Sequence, residues 1–416
     1  MNANNLYRGL FELLTAPDGD AAATVPVSSG RGGRRELLTI ARQEACLPEL
    51  YACWAADNLL SPTESVEHEQ FARRRASAAD VLRVLPTGSL LVAGADLDRG
   101  PSTLAVLLPG FAAIGALHEA VGRLGYRLHG ASEWLVPPRD PMTRGAATVR
   151  YAMAVQAESA VVIEVQVAGV PIDARRNLLF ADLSEGALRL DGLACRTLAP
   201  TRQLLHCIAT FGARTTPVTV REIADLHLLL KDPARRIDHA WLRAKVELLD
   251  AWNGLRQLRD AIVAKRLSAL LSWGEFGRMI EDSADRGEAA TARRTRVPRA
   301  GAMLKSTFDL LQGPRNDDVA AKLARSPWLV SRVWGAGYRV CGVPVSSKAV
   351  DAPRLMRIDG ALYLATGAGL FLLSLVDLSD GARRRVNERV RTASRPVVLA
   401  RWPAGRATRR ARVGTA

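Results

Sequence analysis

Gly88-Ser89-Leu90-Leu91-Val92-Ala93-Gly94-Ala95-Asp96-Leu97-Asp98-Arg99-Gly100-Pro101-Ser102-Thr103-Leu104-Ala105-Val106-Leu107-Leu108-Pro109-Gly110 contains two short apolar runs joined by a polar turn rich in glycine and aspartate. Ser89–Ala93 and Thr103–Leu108 have strand length, and Pro109-Gly110 ends the second. Alternate residues on a strand share a face, so Thr103 and Ala105 are expected side by side.

Upstream the pattern is helical. Apolar residues at helical spacing run through 5–15, from Glu36 onward, through Leu50, Tyr51, Trp54 and Leu59, and from Glu67 to Val84. Pro48 is expected to break the second of these, and Ala16 to Arg35 reads as a loop. Downstream, Ala112–Leu124 reads as a helix stopped by Gly125, and Tyr126–His129 as a short strand. Ala147–Val155 and Ala160–Val167 face each other across the polar turn Gln156–Ser159 as an antiparallel pair.

From Thr197 the chain is helical again. Thr219-Val-Arg-Glu222 is a capping box, and Asp238 is placed to cap the next helix. Residues 282–300 are charged, small and unpatterned and read as a linker or exposed basic loop. Beyond them, helices are expected over Met303–Leu311 and on to Ala324. Ala361–Ala365 and Leu370–Val376 read as two buried strands, Ser379–Val390 as a helix and Pro396–Ala400 as a strand. The Arg-rich tail after Pro403 is expected to be disordered. The expected architecture is α+β: a small mixed sheet with flanking helices, a helical region and a C-terminal α/β extension. Its parts are a helical region 1–84, an α/β core 85–196, a helical region 197–281, a basic linker 282–302 and a mixed region 303–416.

With 416 residues, two or three domains are expected, and 48% apolar residues suffice for real cores. The net charge of +15 is mostly arginine; such a chain can attract anionic partners, and the plainer reading is an Arg- and Ala-biased composition with solvated arginines. Nucleic acid is disfavoured, because aromatic residues are only 5% and do not interleave with the arginines. Five cysteines without Cys-x-x-Cys spacing suit a reducing, cytoplasmic setting rather than a disulfide framework or zinc site. The N-terminus has no basic-then-apolar pattern of a signal peptide, and no stretch reads as a membrane span. There is no Walker loop, no strand-borne Gly-x-Gly-x-x-Gly, no His-Glu-x-x-His and no Gly-x-Ser-x-Gly.

Over roughly residues 36 to 275 the layout resembles a nucleotidyltransferase family with a polymerase-beta-like core. The residues that carry the resemblance are Ala93-Gly94, Arg99, Thr103-Leu-Ala105-Val-Leu-Leu, Gly125-Tyr126, Glu164-Val-Gln166, Pro200, His206 and Ala224-Asp225-Leu226. In that family a Lys-Gly closes one strand, an Arg follows, and the next strand opens Asp-x-Asp. A third carboxylate sits on a neighbouring strand and a His on the first downstream helix. The fold's enzymes bind two divalent ions through those carboxylates, which neutralise phosphate and activate the attacking oxygen.

The chain departs from that pattern where chemistry would occur. Thr103 and Ala105 stand at the two aligned carboxylate positions, Ala93 stands at the lysine, and only the third carboxylate, Glu164, is retained. The resemblance therefore implies a non-catalytic member that needs no cofactor. Gly88, Ser89, Arg99, Thr103, Gln166, His206 and Asp225 are its candidate binding residues, and a peptide or a biosynthetic enzyme of modified-peptide production is its implied partner. The alternative is an active enzyme that transfers a nucleoside monophosphate from NTP with Mg²⁺. Its catalytic and metal-binding carboxylates would be Asp96, Asp98 and Glu164, because Asp96-Leu-Asp98 is itself an Asp-x-Asp, seven residues after Ser89. In the plainer reading Asp96 and Asp98 are solvated turn residues, His206 is a core-edge histidine, and Asp225 pairs with Arg202 or Arg221.

Overall fold

A computed structural model describes residues 3–16, 31–92, 103–130, 132–135, 146–153, 160–172, 177–214, 216–294, 325–335, 340–346, 350, 353–375, 378, 380–392 and 396–401. Helices α1 (Ala3–Thr15), α2 (Arg31–Gln43), α3 (Leu47–Ala56) and α4 (Pro62–Val84) come first. Ser61 and Glu64 close a capping box at the start of α4, with Pro62 in the first turn. Helix α2 ends at Gln43, ahead of Pro48, which lies in the first turn of α3, where no hydrogen bond needs its missing N–H. The expected loop to Arg35 is already helical from Arg31.

Strands β1 (Leu90–Leu91) and β2 (Thr103–Leu108) follow, then α5 (Ile114–Arg123), β3 (Tyr126–Leu128), β4 (Ser132–Leu135), β5 (Ala146–Met153) and β6 (Val162–Val167). Short elements β7 (Gly169–Pro171), β8 (Asn177–Leu179), α6 (Phe180–Ser184), β9 (Leu188–Arg189) and β10 (Arg196–Thr197) lead to the helical region. That region comprises α7 (Pro200–Ala213), α8 (Val220–Lys231), α9 (His239–Leu249), α10 (Trp252–Ala264) and α11 (Gly274–Arg294). Thr219 caps α8 in a capping box with Glu222, and the Asp238 carboxylate accepts from the Trp241 N–H at the start of α9. The last described elements are α12 (Pro327–Gly335), β11 (Val340–Ser346), β12 (Arg354–Ile358), β13 (Ala361–Thr366), β14 (Gly369–Ser374), α13 (Asp380–Thr392) and β15 (Val397–Arg401).

One mixed sheet runs β15-β12-β13-β14-β11-β4-β5-β6-β2-β1-β10-β9, with β3 also on β5. Pairs β2–β6 and β1–β10 are parallel and the others antiparallel. The fold is α+β, a mixed sheet with flanking helices. The C-terminal strands continue the sheet through hydrogen bonds between β11 and β4.

Alternation along the strands decides which core each side chain joins. Leu107 and Leu90 face a core built with α1–α3 and α7–α11. Leu104, Val106, Leu108, Ile163, Val165 and Val167 face the other side, with α4 and α5. Leu362, Leu364, Phe371 and Leu373 of β13 and β14 belong to that second core, while Tyr363, Ala365, Leu370 and Leu372 face a third core with Val386 of α13. Both strands are buried on both faces, which is why their sequences read as unbroken apolar runs.

Two backbone contacts set helix positions. A Cβ at Gly254 of α10 would collide with the Ile208 carbonyl of α7, so these helices cross where only glycine fits. A Cβ at Gly115 of α5 would lie 3.1 Å from the Gly367 Cα, in the turn between β13 and β14.

The stretch 282–294, expected as linker, is the end of α11. Its Met279 and Ile280 are buried, Asp282 pairs with Arg243 at 2.8 Å and Arg286 with Glu247 at 2.6 Å. Ion pairs to α9 thus hold this Ala- and Arg-rich stretch in the helix despite its lack of apolar period. The expected helices between 303 and 324 and the tail after Pro403 lie outside the described residues. No described helix is long and apolar enough to cross a membrane.

Candidate functional site

The parallel pair β2–β6 carries the positions that the sequence singles out. In register, Thr103 lies opposite Val162, Ala105 opposite Glu164 and Leu107 opposite Gln166. On the far side of β6, β5 places Arg150 opposite Glu164 and Thr148 opposite Gln166. These residues share one face, because their neighbours Leu104, Val106, Val149, Ile163 and Val165 all enter the second core. Burial deepens along β2 on this face: Thr103 is exposed, Ala105 intermediate and Leu107 fully buried. Helix α7 covers the inner end, where His206 Nε2 lies 2.8 Å from Gln166 Oε1. An amide oxygen only accepts, so Nε2 donates in this bond.

Glu164 is committed locally. Its Oε2 accepts from Arg150 Nε at 3.1 Å and lies 3.0 Å from Arg150 Nη2. Arg150 is 58% exposed and Glu164 24%, so water screens this pair. His206 is buried, and desolvation alone lowers its pKa to about 4. It is neutral at physiological pH, hydrogen-bonded inside the core, and no proton carrier for chemistry at the open end.

The other candidates fall elsewhere. Gly88 adopts φ 92° in the turn before β1, a conformation suited to glycine. Ser89 is buried, and its Oγ has no hydrogen-bond partner among the described residues. Leu90 faces the first core and Leu91 the second, so alternation puts Ser89 on the side of Leu91, away from Glu164. Asp225 of α8 belongs to a helical charge cluster rather than to the sheet. Burial lowers the Arg221 pKa, but Glu49, paired with Arg221, and then Asp225 raise it further, and the net shift is upward. Arg202, the other expected partner of Asp225, bonds Glu185 at 2.5 Å and stacks on Trp241 with its guanidinium carbon 3.3 Å from the ring centre. Asp96, Asp98 and Arg99 lie outside the described residues.

Two divalent ions need several hard oxygen ligands on one face. That face offers a threonine, an alanine and one glutamate already paired with an arginine. No group of three or more His, Cys, Asp or Glu that could hold a metal occurs among the described residues. The described residues therefore do not fit a two-metal centre. What the described face does offer is the Thr103 position and the Arg150–Glu164 ion pair.

Sequence reasoning missed Arg150. A signal was available: the antiparallel pairing expected of Ala147–Val155 and Ala160–Val167 sets Arg150 on one strand against Glu164 on the other.

No family model matches the chain, and none of the curated proteins does. Among solved structures, the crystal structure of a putative nucleotidyltransferase from H. pylori is similar at 18% identity. The match covers 53% of this chain and 98% of that one, with a TM-score of 0.30, too low to carry an argument about fold or activity.

Proposed function

We propose that this protein is a binding or accessory protein on a nucleotidyltransferase-like frame that has lost catalysis. The observation that carries the reading is the register of β2 against β6. The residue directly opposite Glu164 is Ala105, the next on that face is Thr103, and Glu164 itself is bonded to Arg150. Reading these as the metal positions rests on the layout resemblance described from the sequence. The implied partner is a peptide or a biosynthetic enzyme, and the implied cofactor is none.

The experiment is nucleotidyl transfer from labelled NTPs with Mg²⁺ or Mn²⁺, comparing wild type with Asp98→Ala. Equal background incorporation by both supports the proposal. Metal-dependent incorporation by the wild type that Asp98→Ala abolishes would overturn it and assign Asp96, Asp98 and Glu164 as a metal-binding set.

A further inference from the structure

The sheet ends at β15, whose one described neighbour is β12. Exposed edges offer unpaired N–H and C=O groups, and proteins commonly blunt them with lysine, proline, inward charge or very short strands. The opposite edge, β9, is two residues long. Val397-Val398-Leu399-Ala400 has no lysine, proline or inward charge and is not short, and a one-residue bulge is its only such device. Val397 is 57% exposed, Val398 37% and Leu399 48%, the only run of three consecutive exposed large apolar residues among the described residues. The register against β12 shifts between Leu355 and Met356: Ala400 faces Leu355, Val398 faces Met356, and Leu399 is the extra residue. An extra residue twists the strand and interrupts alternation, so neighbouring side chains point away from the sheet together.

The charged residues within β12 and β15 are all arginines, and Asp359 follows in the turn after β12. Arg354 is the register partner of Arg401, and Arg357 that of Val397. Like charges directly opposite one another are destabilising. Neither Arg354 nor Arg357 has an ion-pair partner among the described residues, and Arg357 is exposed.

Charge also discriminates between occupants. A second copy would bring another +15. The chain's own segment 402–416 carries Arg406, Arg409, Arg410 and Arg412 and no acidic residue. An extended acidic segment of another polypeptide meets every feature. We infer that β15 takes such a segment by strand addition. Main-chain hydrogen bonds to β15 would supply affinity, apolar side chains would cover Val397–Leu399, and carboxylates would pair with Arg354 and Arg357 of β12. This surface is remote in the sheet order from β2–β6, and the inference stands whether or not the proposed function does.

The test uses the full chain and a fluorescein-labelled peptide alternating Glu and Val. Fluorescence anisotropy follows binding, and hydrogen exchange follows the amides of 397–401. The inference expects saturable binding, protection of those amides, and at least about a tenfold weakening with Arg354→Glu/Arg357→Glu, about 1.4 kcal/mol. An alternate-N-methylated version of the peptide should not bind, because it cannot form the ladder. Unchanged circular dichroism and thermal midpoint establish that the double variant is folded, and Arg357→Glu alone serves if the pair is not. Equal binding of a Lys-Val peptide, equal binding by the variants, or protection confined to other strands would overturn it. So would a concentration-dependent dimer that protects 397–401 without peptide, or a single-stranded oligonucleotide that displaces the peptide and itself leaves those amides unprotected.

Discussion

The helical region and the open face of β5–β6–β2 handle charge in opposite ways. Among the helices, Glu44 and Lys265 are nearly inaccessible and bond to one another, and the second oxygen of Glu44 accepts the Val220 N–H at the start of α8 at 2.7 Å. Arg221 and Glu49 form a second enclosed pair, beside Cys46, whose thiol is pushed well up by burial and then by Glu49. On the sheet face a single carboxylate meets a mostly solvated arginine. Buried charges are costly unless fully partnered, so the enclosed pairs fix how α2, α3, α8 and the end of α10 meet. The enclosed charge pairs among the described residues thus belong to the helical scaffold.

The largest expected effect comes from breaking the enclosed side of that contrast. Glu44→Ala leaves the Lys265 ammonium unpaired and the Val220 N–H without its acceptor, at a cost of about 3–5 kcal/mol. Urea denaturation measures it, and a loss below about 1 kcal/mol would show that water reaches the pair.

A smaller, pH-gated effect belongs to His206. Its folded pKa of about 4 lies below the unfolded value of 6.5, so between those values the unfolded chain binds more protons. Stability from this residue is full above pH 6.5, is lost as pH falls toward 4, and totals about 3 kcal/mol. Burial lowers His118 and His227 as well, so the readout is a difference between proteins. The His206→Gln variant should show a shallower acid branch than wild type in urea midpoints at pH 7 and pH 4.5. Parallel branches would mean that His206 takes up its proton within the fold.

The smallest effect is expected on the open face. Arg150→Ala should change stability by less than about 1 kcal/mol, because Arg150 is mostly solvated. A loss of several kcal/mol in the same denaturation assay would place the Arg150–Glu164 pair in the same class as Glu44–Lys265 and end the contrast.

The sequence disclosed what local pattern controls. Thr103–Leu108 is the strand read from its alternation and its Pro-Gly stop, the Thr219 box caps its helix, and the two buried strands near 361 and 374 stand where their apolar runs lie. Non-local pairing was not legible. Nothing in Ser132–Leu135 or Val340–Ser346 says that these strands join, because a strand's neighbour depends on hydrogen bonds that carry no residue code. The end of α11 was hidden for a related reason, since its anchors Arg243 and Glu247 lie on another helix. The site was half legible: Thr103, Ala105 and Glu164 could be placed on their strands, whereas Ser89 and Asp225 could be excluded from the face of Glu164 only by seeing which side of the sheet or which helix they occupy.

The contact between Gly115 and Gly367 sets an order of events during synthesis. The two residues are 252 positions apart (367 − 115), and their backbones touch. The second core draws on α5 and on β13 and β14 alike. A ribosome-bound chain that has emerged only through α11 holds every strand of the β2–β6 neighbourhood and still lacks the residues that close this core. The edge of β4 stays unpaired until β11 is out, and the second core stays open until Gly367 follows. Long-range closure of this kind is slow, so nascent chains are most vulnerable to misassociation in the interval between those two glycines.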